Sequence, residues 1–541
     1  MKFEDLLLEV GGFGRFQIIT LLLMAIFRVT PAFLYLLGNF VAVVPPHRCA
    51  LQDLFGNLTE ERLILINIPR ELDGTFSSCK MYREAQWHIL KNSTWGPPNA
   101  SAMQICQNGW DYDHSQFSST IATEWDLVCE QKWLNKASST FFFIGVMVGS
   151  ILIGYLSDRY GRRMMLLVTC VFTLLFGMAS AASVNYPMFA VFRALSGLSV
   201  AGFSMITTAL GLEWVNKKHR TFSGSWMTIY WSIGLMLLSL VAYLIRDWRW
   251  LLVAITCPYI LGIISIWWLP ESPRWLLSKG KVKETYALLV RCSSVNGQAH
   301  VSPSINMEVL SKVAEEENTG KHYSFIDLFR TPVLRKVSIC VTCAWFGASF
   351  SYYGISFNIT GFKLDIYMTQ FLYGAIEIPF KLGLYIFLKK AGRRHALAWS
   401  LLITGFCIGI NIMIPVSFGV LRTIIAVMGK GFSGASFAAI YLFSAELYPT
   451  ILRQNGCGFS AFVGRIGSSV APLILLLDEV WKPLPQVIYC SVAVASGLIT
   501  YCLHETLNMR LPETVKDIEN TRSKSISPTM EPEEVIRMQK F

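Results

Sequence analysis

The stretch GYLSDRYGRR, residues 154–163, joins two long apolar runs and has a partial copy later in the chain. Its last three residues, Gly161-Arg162-Arg163, recur as Gly392-Arg393-Arg394 at an offset of 231 residues. Further charged residues repeat at nearly the same offset: Glu213 and Arg220 recur as Glu446 and Arg453, each 233 residues later, and Glu271 recurs as Glu505, 234 residues later. One shared offset indicates that the protein is built from two copies of one structural unit.

Apolar runs of membrane-spanning length surround these repeats. The 541 residues are 53% hydrophobic and only 15% charged. A bilayer core of about 30 Å requires roughly 20 residues of helix, and we count twelve runs of this length, which begin near residues 16, 138, 164, 186, 222, 250, 336, 366, 395, 419, 455 and 483. The ten-residue alternating segments typical of membrane barrels do not occur in the sequence. The pattern predicts an all-α membrane protein with twelve transmembrane helices in two pseudo-symmetric six-helix halves.

Basic residues cluster in short loops that share one side of the predicted membrane. Residues 159–163, 217–220 and 389–394 are rich in Lys and Arg, so the positive-inside rule places them in the cytosol. Both termini are then cytosolic, and the first apolar run is too long for a cleaved signal peptide. The predicted organisation is a cytosolic N-terminal segment (1–15), an N-terminal half (16–270) containing an extracellular domain (45–136), a cytosolic linker (271–335), a C-terminal half (336–505) and a cytosolic tail (506–541).

The long polar segment after the first run has the features of an extracellular domain. It contains four cysteines, Cys49, Cys79, Cys106 and Cys129, and three glycosylation sequons, which begin at Asn57, Asn92 and Asn99. Four cysteines in an oxidising compartment are expected to form two disulfides, and all three pairings are open. No cysteine pair has metal-ligand spacing, so we expect no metal site. The net charge of +11 reflects the cytosolic loops; because no separate basic domain exists, we expect no nucleic-acid partner.

Several of these stretches resemble a known family. GYLSDRYGRR resembles the loop signature between the second and third helices of the major facilitator superfamily. PESPRW (270–275), SSTIATEWDLVC (118–129) and ELYPT (446–450) are similar to stretches in the organic ion transporters of solute carrier family 22. The long cysteine-containing segment after the first helix also favours that family. The resemblance covers essentially the whole chain and favours the organic anion transporter branch. It implies two halves that rock about a central site.

The repeated charges on the cytosolic side are candidate gate residues. Asp158 and the neighbouring arginines are able to form ion pairs that hold this side in one conformation. The predicted gate set is Asp158, Arg159, Arg162, Glu213, Arg220, Glu271, Glu446 and Arg453. The alternative is that these charges only set the topology. Lys389 stands in the second copy where the first copy has Asp158, so the two gates are not equivalent.

Three basic residues lie deep in apolar runs, where an ionisable side chain costs at least about 2.5 kcal/mol and usually faces a cavity. Arg465 follows the cytosolic end of its run by twelve residues, or about 18 Å of helix. Lys381 is similarly deep, but Glu377 precedes it by four residues on the same face and is positioned to neutralise it. For Arg28, two interpretations stand equally: contact with the substrate, or an ion pair with another helix. The resemblance matches Arg465 and Lys381 to the cationic residues that mark organic anion transporters.

Aromatic side chains recur at helical spacing in the same runs. The resemblance implies that the fifth, seventh and tenth helices line a central pocket, in which aromatic walls hold the apolar body of an amphiphilic ion. The alternative is ordinary packing between helices. The predicted substrate-binding set adds to the three deep cations the residues Trp345, Tyr352, Tyr353, Phe437, Tyr441, Tyr230 and Asn39.

The predicted function is polyspecific transport of small organic anions, often aromatic or amphiphilic, across the plasma membrane, with a basolateral location expected in epithelium. No GxxxxGK[ST] loop is present, so ATP coupling is not supported, and we expect no enzymatic activity or cofactor. An inside-negative potential opposes uptake of an anion alone, which favours exchange against an intracellular anion such as a dicarboxylate over facilitated uptake. Two alternatives remain, a sugar-porter-like facilitator of uncharged solutes and a non-transporting receptor. The deep cations argue against the first and the duplicated halves against the second.

Overall fold

The computed structural model describes residues 10–51, 59–71, 74–87, 103–297, 307–318, 325–358, 364–449 and 451–507, together with residues 512, 515, 518 and 519. Within these ranges the chain is predominantly helical. Eleven helices are long and apolar enough to cross a membrane. A further apolar helix, Leu484–Thr500, has 17 residues, or about 25 Å of helix. The described helices therefore agree with the twelve predicted runs, the last of them being the shortest.

The N-terminal half consists of six spanning segments. They are α1 (Arg15–Leu36) with its short continuation α2 (Gly38–Val41), then α5 (Lys132–Tyr160), α6 (Arg162–Ala181), α7 (Tyr186–Glu213), α8 (Lys217–Leu244), and finally α9 (Trp248–Thr256) with α10 (Pro258–Ser265). Polar side chains in the connecting turns cap these helices by accepting hydrogen bonds from free backbone N–H groups: Asn185 caps α7, Asn216 caps α8 and Asp247 caps α9. Short polar turns thus separate long apolar helices, as the alternating sequence pattern requires.

A small domain of β-strands is inserted between α2 and α5. Its elements are β1 (His47–Cys49), α3 (Glu60–Asn67), β2 (Lys80–Tyr82), β3 (Met103–Ile105), β4 (Trp110–Tyr112) and α4 (Ile121–Glu124). Strand β1 pairs antiparallel with β4, and β2 pairs antiparallel with β3. The disulfides join Cys49 to Cys106 and Cys79 to Cys129, which selects one of the three pairings left open above. The three predicted glycosylation sites, Asn57, Asn92 and Asn99, lie outside the described residues.

The linker and the C-terminal half continue the same helical architecture. The linker contains α11 (Pro273–Ser278), α12 (Val282–Val295) and α13 (Met307–Asn318). The six spanning helices that follow are α14 (Pro332–Phe357), α15 (Ile366–Ala391), α16 (Arg393–Met413), α17 (Gly419–Leu447), α18 (Arg453–Ile474) and α19 (Leu484–Thr500). The first of them begins four residues before the predicted boundary at residue 336.

The two halves meet along two equivalent pairs of helices. Helix α8, the fifth spanning segment, packs against α15, the eighth, and α5, the second, packs against α18, the eleventh. In the internal repeat, each spanning segment of one half corresponds to the segment six positions away in the other half. The fifth segment therefore corresponds to the eleventh and the eighth to the second, so the two pairs are equivalent. The tertiary contacts therefore repeat the duplication that the sequence offsets indicate, and the space between these pairs is the centre of the molecule.

Candidate functional site

The repeated charges cluster at one end of the helix bundle, which we call the inner end and define by Arg162 and Arg393. Arg162 pairs with Asp158 at 2.8 Å and with Glu213 at 3.4 Å, all within the N-terminal half. Arg393 pairs with Glu446 at 3.1 Å in the C-terminal half. These ion pairs join helices of the same half, so each cluster holds one half together at its inner end.

Glutamates bind the first turns of α6 and α16 in the same way. The Glu271 carboxylate accepts hydrogen bonds from the backbone N–H of Arg162 at 3.0 Å and of Arg163 at 3.1 Å. Glu505 accepts equivalent bonds from Arg393 at 2.7 Å and Arg394 at 3.0 Å. Carboxylates placed here satisfy free N–H groups and oppose the positive end of the helix dipole.

Two further predicted gate residues, Arg159 and Arg453, lie at the same end. Arg159 is exposed and lies over the ring of Tyr160, 5.4 Å from its centroid. Arg453 is the first residue of α18. The side chains of Arg220 and Lys389 lie outside the described part of the chain, so the predicted difference between the two gates stays a prediction.

The opposite end, which we call the outer end and define by the disulfide-bonded domain, holds contacts between the two halves. Lys132 of α5 pairs with Asp478 at 3.1 Å and with Glu479 at 3.3 Å. Asn39 donates to the backbone oxygen of Ser356 at 2.7 Å and to Gln370 at 3.0 Å. Asn39, predicted in the substrate set, therefore lies in a buried contact at the outer end.

Tyr367 at the start of α15 completes this closure. Its ring stacks on Phe40 with 5.6 Å between centroids, and its hydroxyl donates to the backbone oxygen of Gln116 at 3.3 Å. Phe40 and Gln116 belong to the N-terminal half and its inserted domain. The outer end is closed by ion pairs, amide hydrogen bonds and aromatic packing together.

A single buried carboxylate, Glu377 of α15, organises the centre. Its side chain is 0% exposed, and it pairs with Lys381 at 2.7 Å and with Lys430 at 3.3 Å. Tyr352 donates to it at 2.8 Å and Ser232 at 2.9 Å. Helices α8, α14, α15 and α17 thus meet at one carboxylate, and the ion pair suggested by the Glu377 and Lys381 spacing is present.

Lys430 of α17 is a central cation that is absent from the predicted substrate-binding set. It is fully buried, its ammonium lies 3.1 Å from the centroid of the Tyr352 ring, and it donates to the Ser356 hydroxyl. The sequence contains a signal for this residue, because a lysine eleven residues into an apolar run lies at membrane depth, as Lys381 does.

Arg465 of α18 has a different environment. Its guanidinium donates to the Tyr35 hydroxyl at 3.2 Å and lies 5.8 Å from the centroid of that ring. No carboxylate of the described residues lies within 4.0 Å of it. The hydroxyl groups of Tyr353 and Tyr441 are also close enough to interact electrostatically with the guanidinium of Arg465. Tyr35 was not predicted, because nothing local in the sequence connects residues 430 positions apart.

Arg28 contacts neighbouring helices without an acid among the described residues. It donates to the Thr208 hydroxyl of α7 and to the Met227 sulfur of α8 at 3.4 Å, and Tyr441 lies within its electrostatic reach. A second unpredicted cation, Arg193, donates to the Leu34 backbone oxygen at 2.9 Å. Arg28 thus contacts other helices through neutral partners, and no carboxylate of the described residues forms an ion pair with it, so its role in substrate contact stays a prediction.

Aromatic rings line the space around these cations. Trp345 and Tyr441 pack edge to face at 4.5 Å, and Tyr352 and Phe437 at 5.2 Å. The predicted residues Trp345, Tyr352, Tyr353, Phe437 and Tyr441 therefore lie together. Tyr230 is partly exposed on α8 and packs against the neighbouring Trp226 at 6.4 Å.

The charge balance of the centre is strongly positive. As formal charges, Arg28, Lys381, Lys430 and Arg465 contribute four positive charges and Glu377 contributes one negative charge, which leaves +3 for these five residues, without counting Arg193. A large apolar groove of about 990 Å³ lies elsewhere, among α16, α17 and α19, lined by residues such as Trp399, Phe406 and Met413. These side chains are exposed and apolar, as expected for a surface that faces lipid. The groove therefore offers no charged group to an anion, unlike the centre.

Comparison with known proteins identifies the fold and the family. Residues 72–515 match the family model described as "Sugar (and other) transporter". Two structures of the xylose transporter XylE from E. coli superpose with a TM-score of 0.57; in one, an inward open conformation, the identity is 18% and the match covers 74% of this chain and 93% of that chain. In the other, a partially occluded one, the figures are 15%, 90% and 98%. Fold and central site define a membrane carrier of the major facilitator superfamily.

Closer relatives identify the branch. Solute carrier family 22 member 7 from Homo sapiens is 48% identical, with 99% of each chain covered, and the Sus scrofa protein gives the same figures. Solute carrier family 22 member 6 from Danio rerio is 37% identical over 96% of this chain and 94% of its own. The chain belongs to solute carrier family 22. It is therefore a multi-pass membrane transporter and not an enzyme.

Proposed function

We propose that this protein transports organic anions by alternating access. The observation that carries the proposal is the central charge of +3, with Arg465 and Arg28 contacting only neutral partners among the described residues. Unpaired cations at membrane depth are costly, and an anionic ligand supplies the missing charge. The site therefore favours negatively charged solutes over neutral ones.

The same surroundings support an amphiphilic substrate with an aromatic or apolar body. Trp345, Phe437 and Tyr441 form one continuous aromatic wall near the cations. The indole N–H of Trp345 is buried without a hydrogen-bond partner in the described chain, so it is available as a donor. Rings and one polar donor beside a cation match the two ends of an aromatic carboxylate.

The two alternative functions fit less well. A facilitator of uncharged solutes needs paired hydrogen-bond donors and acceptors, and three uncompensated positive charges would be unfavourable around a sugar. A receptor that binds ligand with its inserted domain would account for the presence of that domain, which the disulfides Cys49–Cys106 and Cys79–Cys129 hold together. It does not explain two equivalent helix pairs around a charged centre.

Alternating access is supported by the state of the two ends. Cross-half contacts close the outer end, whereas the ion pairs of Arg162 and Arg393 stay within their own halves. We infer that the carrier resides in the plasma membrane, basolaterally in epithelium, with cytosolic termini and a glycosylated outer domain. Because about 2.3 kcal/mol per 100 mV opposes the entry of one negative charge, exchange against an intracellular anion such as a dicarboxylate is the proposed mode.

Uptake assays with Arg465 variants test the proposal. Arg465→Ala is expected to lower kcat/KM for a radiolabelled aromatic carboxylate by at least about tenfold, equivalent to about 1.4 kcal/mol, and Arg465→Asp is expected to abolish uptake. Arg330→Ala is the matched control, because this arginine side chain is 82% exposed. Unchanged carboxylate uptake in both Arg465 variants would contradict the role of Arg465. Uptake of a neutral sugar but no anion by the native protein would favour the sugar-porter alternative.

A further inference from the structure

Glu377 is an acid in a site proposed to bind acids. Of the charged residues that face the central site, it is the only described carboxylate. Its presence lowers the positive charge that attracts an anionic substrate. The role inferred for Glu377 rests on the proposed function.

Both carboxylate oxygens of Glu377 are fully used. One oxygen accepts from Lys381 at 2.7 Å and from Ser232 at 2.9 Å, and the other accepts from Tyr352 at 2.8 Å with Lys430 3.3 Å away. Two ammonium groups and two hydroxyls are a donor set that any carboxylate would bind well. Glu377 therefore occupies a complete carboxylate site with its own side chain.

The two lysines each have neutral partners that do not depend on Glu377. Lys381 donates to the Thr228 backbone oxygen at 3.1 Å and to the Ser232 hydroxyl at 2.8 Å. Lys430 donates to the Ser356 hydroxyl and lies over the Tyr352 ring. A second carboxylate is therefore able to replace Glu377 without leaving either ammonium group unsolvated. Lys381 and Glu377 also contact α8 of the opposite half, so this exchange acts at the interface that moves during transport.

We propose that Glu377 is an internal counter-anion: the carboxylate of the transported anion displaces it from Lys381 and Lys430, and Glu377 takes both lysines back when the substrate leaves. The substrate class is organic carboxylates. Competition by Glu377 weakens binding and speeds release. It also keeps the empty carrier from holding two uncompensated lysines.

Kinetics of Glu377→Gln test this role. Glutamine keeps the size and hydrogen-bonding capacity but removes the competing charge, so KM for an aromatic carboxylate is expected to fall by about threefold or more, and the maximal rate per transporter at the cell surface to fall as well, because release is slower. Glu377→Asp is expected to keep the native ratio of the two constants. Glu308→Gln is the matched control, because Glu308 forms the same i,i+4 pair with Lys312 but is 72% exposed.

The outcomes separate this inference from the proposed function. A lower maximal rate with unchanged or raised KM would show that Glu377 only supports the fold, and would overturn the inference while anion transport by the native protein stands. If Glu377→Gln fails to reach the surface, the purified variant is tested for thermal stabilisation by the same carboxylate. Stronger stabilisation than in the native protein supports displacement, and equal or weaker stabilisation contradicts it. Absence of anion transport by the native protein would instead overturn the proposed function.

Discussion

Arg465 and Lys381 occupy the same central region but differ in how far their charge is neutralised. Lys381 forms an ion pair with a buried carboxylate at 2.7 Å, whereas Arg465 contacts the hydroxyl and the ring of Tyr35. A tyrosine orients a guanidinium without cancelling its charge. We therefore expect Arg465 to carry the larger share of attraction for an anion, and Lys381 to respond through Glu377.

Gly392 is a residue whose role is conformational. Its φ of +92° and ψ of 168° lie in a region that is essentially restricted to glycine, and a Cβ atom would stand 2.5 Å from the Glu505 carboxylate. Gly161 has the same conformation beside Glu271, with a φ of +103°. Both copies of the repeat thus need glycine for the turn and for the approach of the carboxylate.

Gly392→Ala is expected to lower the free energy of unfolding by about 1–3 kcal/mol or more, because alanine is strained at this backbone conformation and clashes with Glu505. Thermal unfolding of the purified protein measures the effect. Gly383→Ala is the control with the opposite expected sign: this helical glycine has open space around it, so alanine should stabilise by about 0.5–1 kcal/mol. Equal effects of the two substitutions would contradict the argument.

At the scale of elements, helix α16 depends on Glu505 at its first turn. Although burial raises the pKa of Glu505, backbone N–H groups of Arg393, Leu507, Thr506 and Arg394 bond to its carboxylate and hold the pKa below the ordinary value. The charged form is therefore favoured by folding. This contribution to stability is complete above the ordinary glutamate pKa and is lost as the pH falls through the lowered value in the folded state.

Glu505→Gln is expected to reduce stability at pH 7 by about 0.5–2 kcal/mol, as for loss of other helix N-terminal acceptors. The difference between native protein and variant should stay constant from pH 8 to about pH 5 and shrink below about pH 4.5, where the Glu505 carboxylate of the unfolded chain begins to gain a proton while that of the folded protein stays charged. Unfolding curves at several pH values measure it. A difference that grows on acidification would show that another group is responsible.

The ion pairs of Lys132 join the outer end of α5 to Asp478 and Glu479, in the turn that follows α18. These side chains are partly exposed, and such pairs contribute about 0.2–1 kcal/mol each. A contribution of this size is suited to a closure that opens in each transport cycle. Neighbouring contacts of Asn39 and Tyr367 add to it.

Lys132→Glu is expected to favour opening of the outer end, because it places three acids together. A cysteine introduced at Phe357, which packs on Phe143 at this end, should react up to about fivefold faster with a membrane-impermeant thiol reagent. The double variant Lys132→Glu/Asp478→Lys should restore slow reaction. The protein with native Phe357 corrects for other cysteines, and no change in rate would show that the ion pairs do not hold the closure.

On the scale of the whole molecule, two helix pairs related by the internal repeat surround one charged site. The contacts of pairs α8–α15 and α5–α18 are where the proposed rocking of the two halves would take place. A centre of charge +3 is also unfavourable when empty. A carrier of this kind is expected to change between its outward-facing and inward-facing conformations faster with an anion bound than with an empty site.

Preloading cells or vesicles with a dicarboxylate should therefore accelerate uptake of a labelled aromatic carboxylate several-fold. The electrical cost of anion entry is offset when an anion leaves in the same cycle. Initial uptake rates with and without preload measure this, and preloading with a neutral sugar is the control. Equal rates in all three conditions would indicate facilitated uptake instead of exchange.

Much of this protein was predictable from its sequence because the decisive signals are local. Apolar length sets the spanning helices, a repeated offset shows the two halves, and a charge deep in an apolar run stands out without knowledge of its neighbours. The Glu377 and Lys381 pair was predictable for the same reason, since four residues make one helical turn. Family membership followed from short motifs that keep their order along the chain.

Only the tertiary structure decided which distant residues meet. It selected one of three disulfide pairings, brought Tyr35 to Arg465 and joined Lys430 to Glu377, contacts that depend on how whole helices pack. It also showed that Asn39 joins the two halves through Ser356, whose hydroxyl accepts from Lys430, so its place in the substrate set stays a prediction. A sequence records how deep each charge lies in its helix, but the face that neighbouring helices cover, and so the partner of each charge, is set by packing between the two halves.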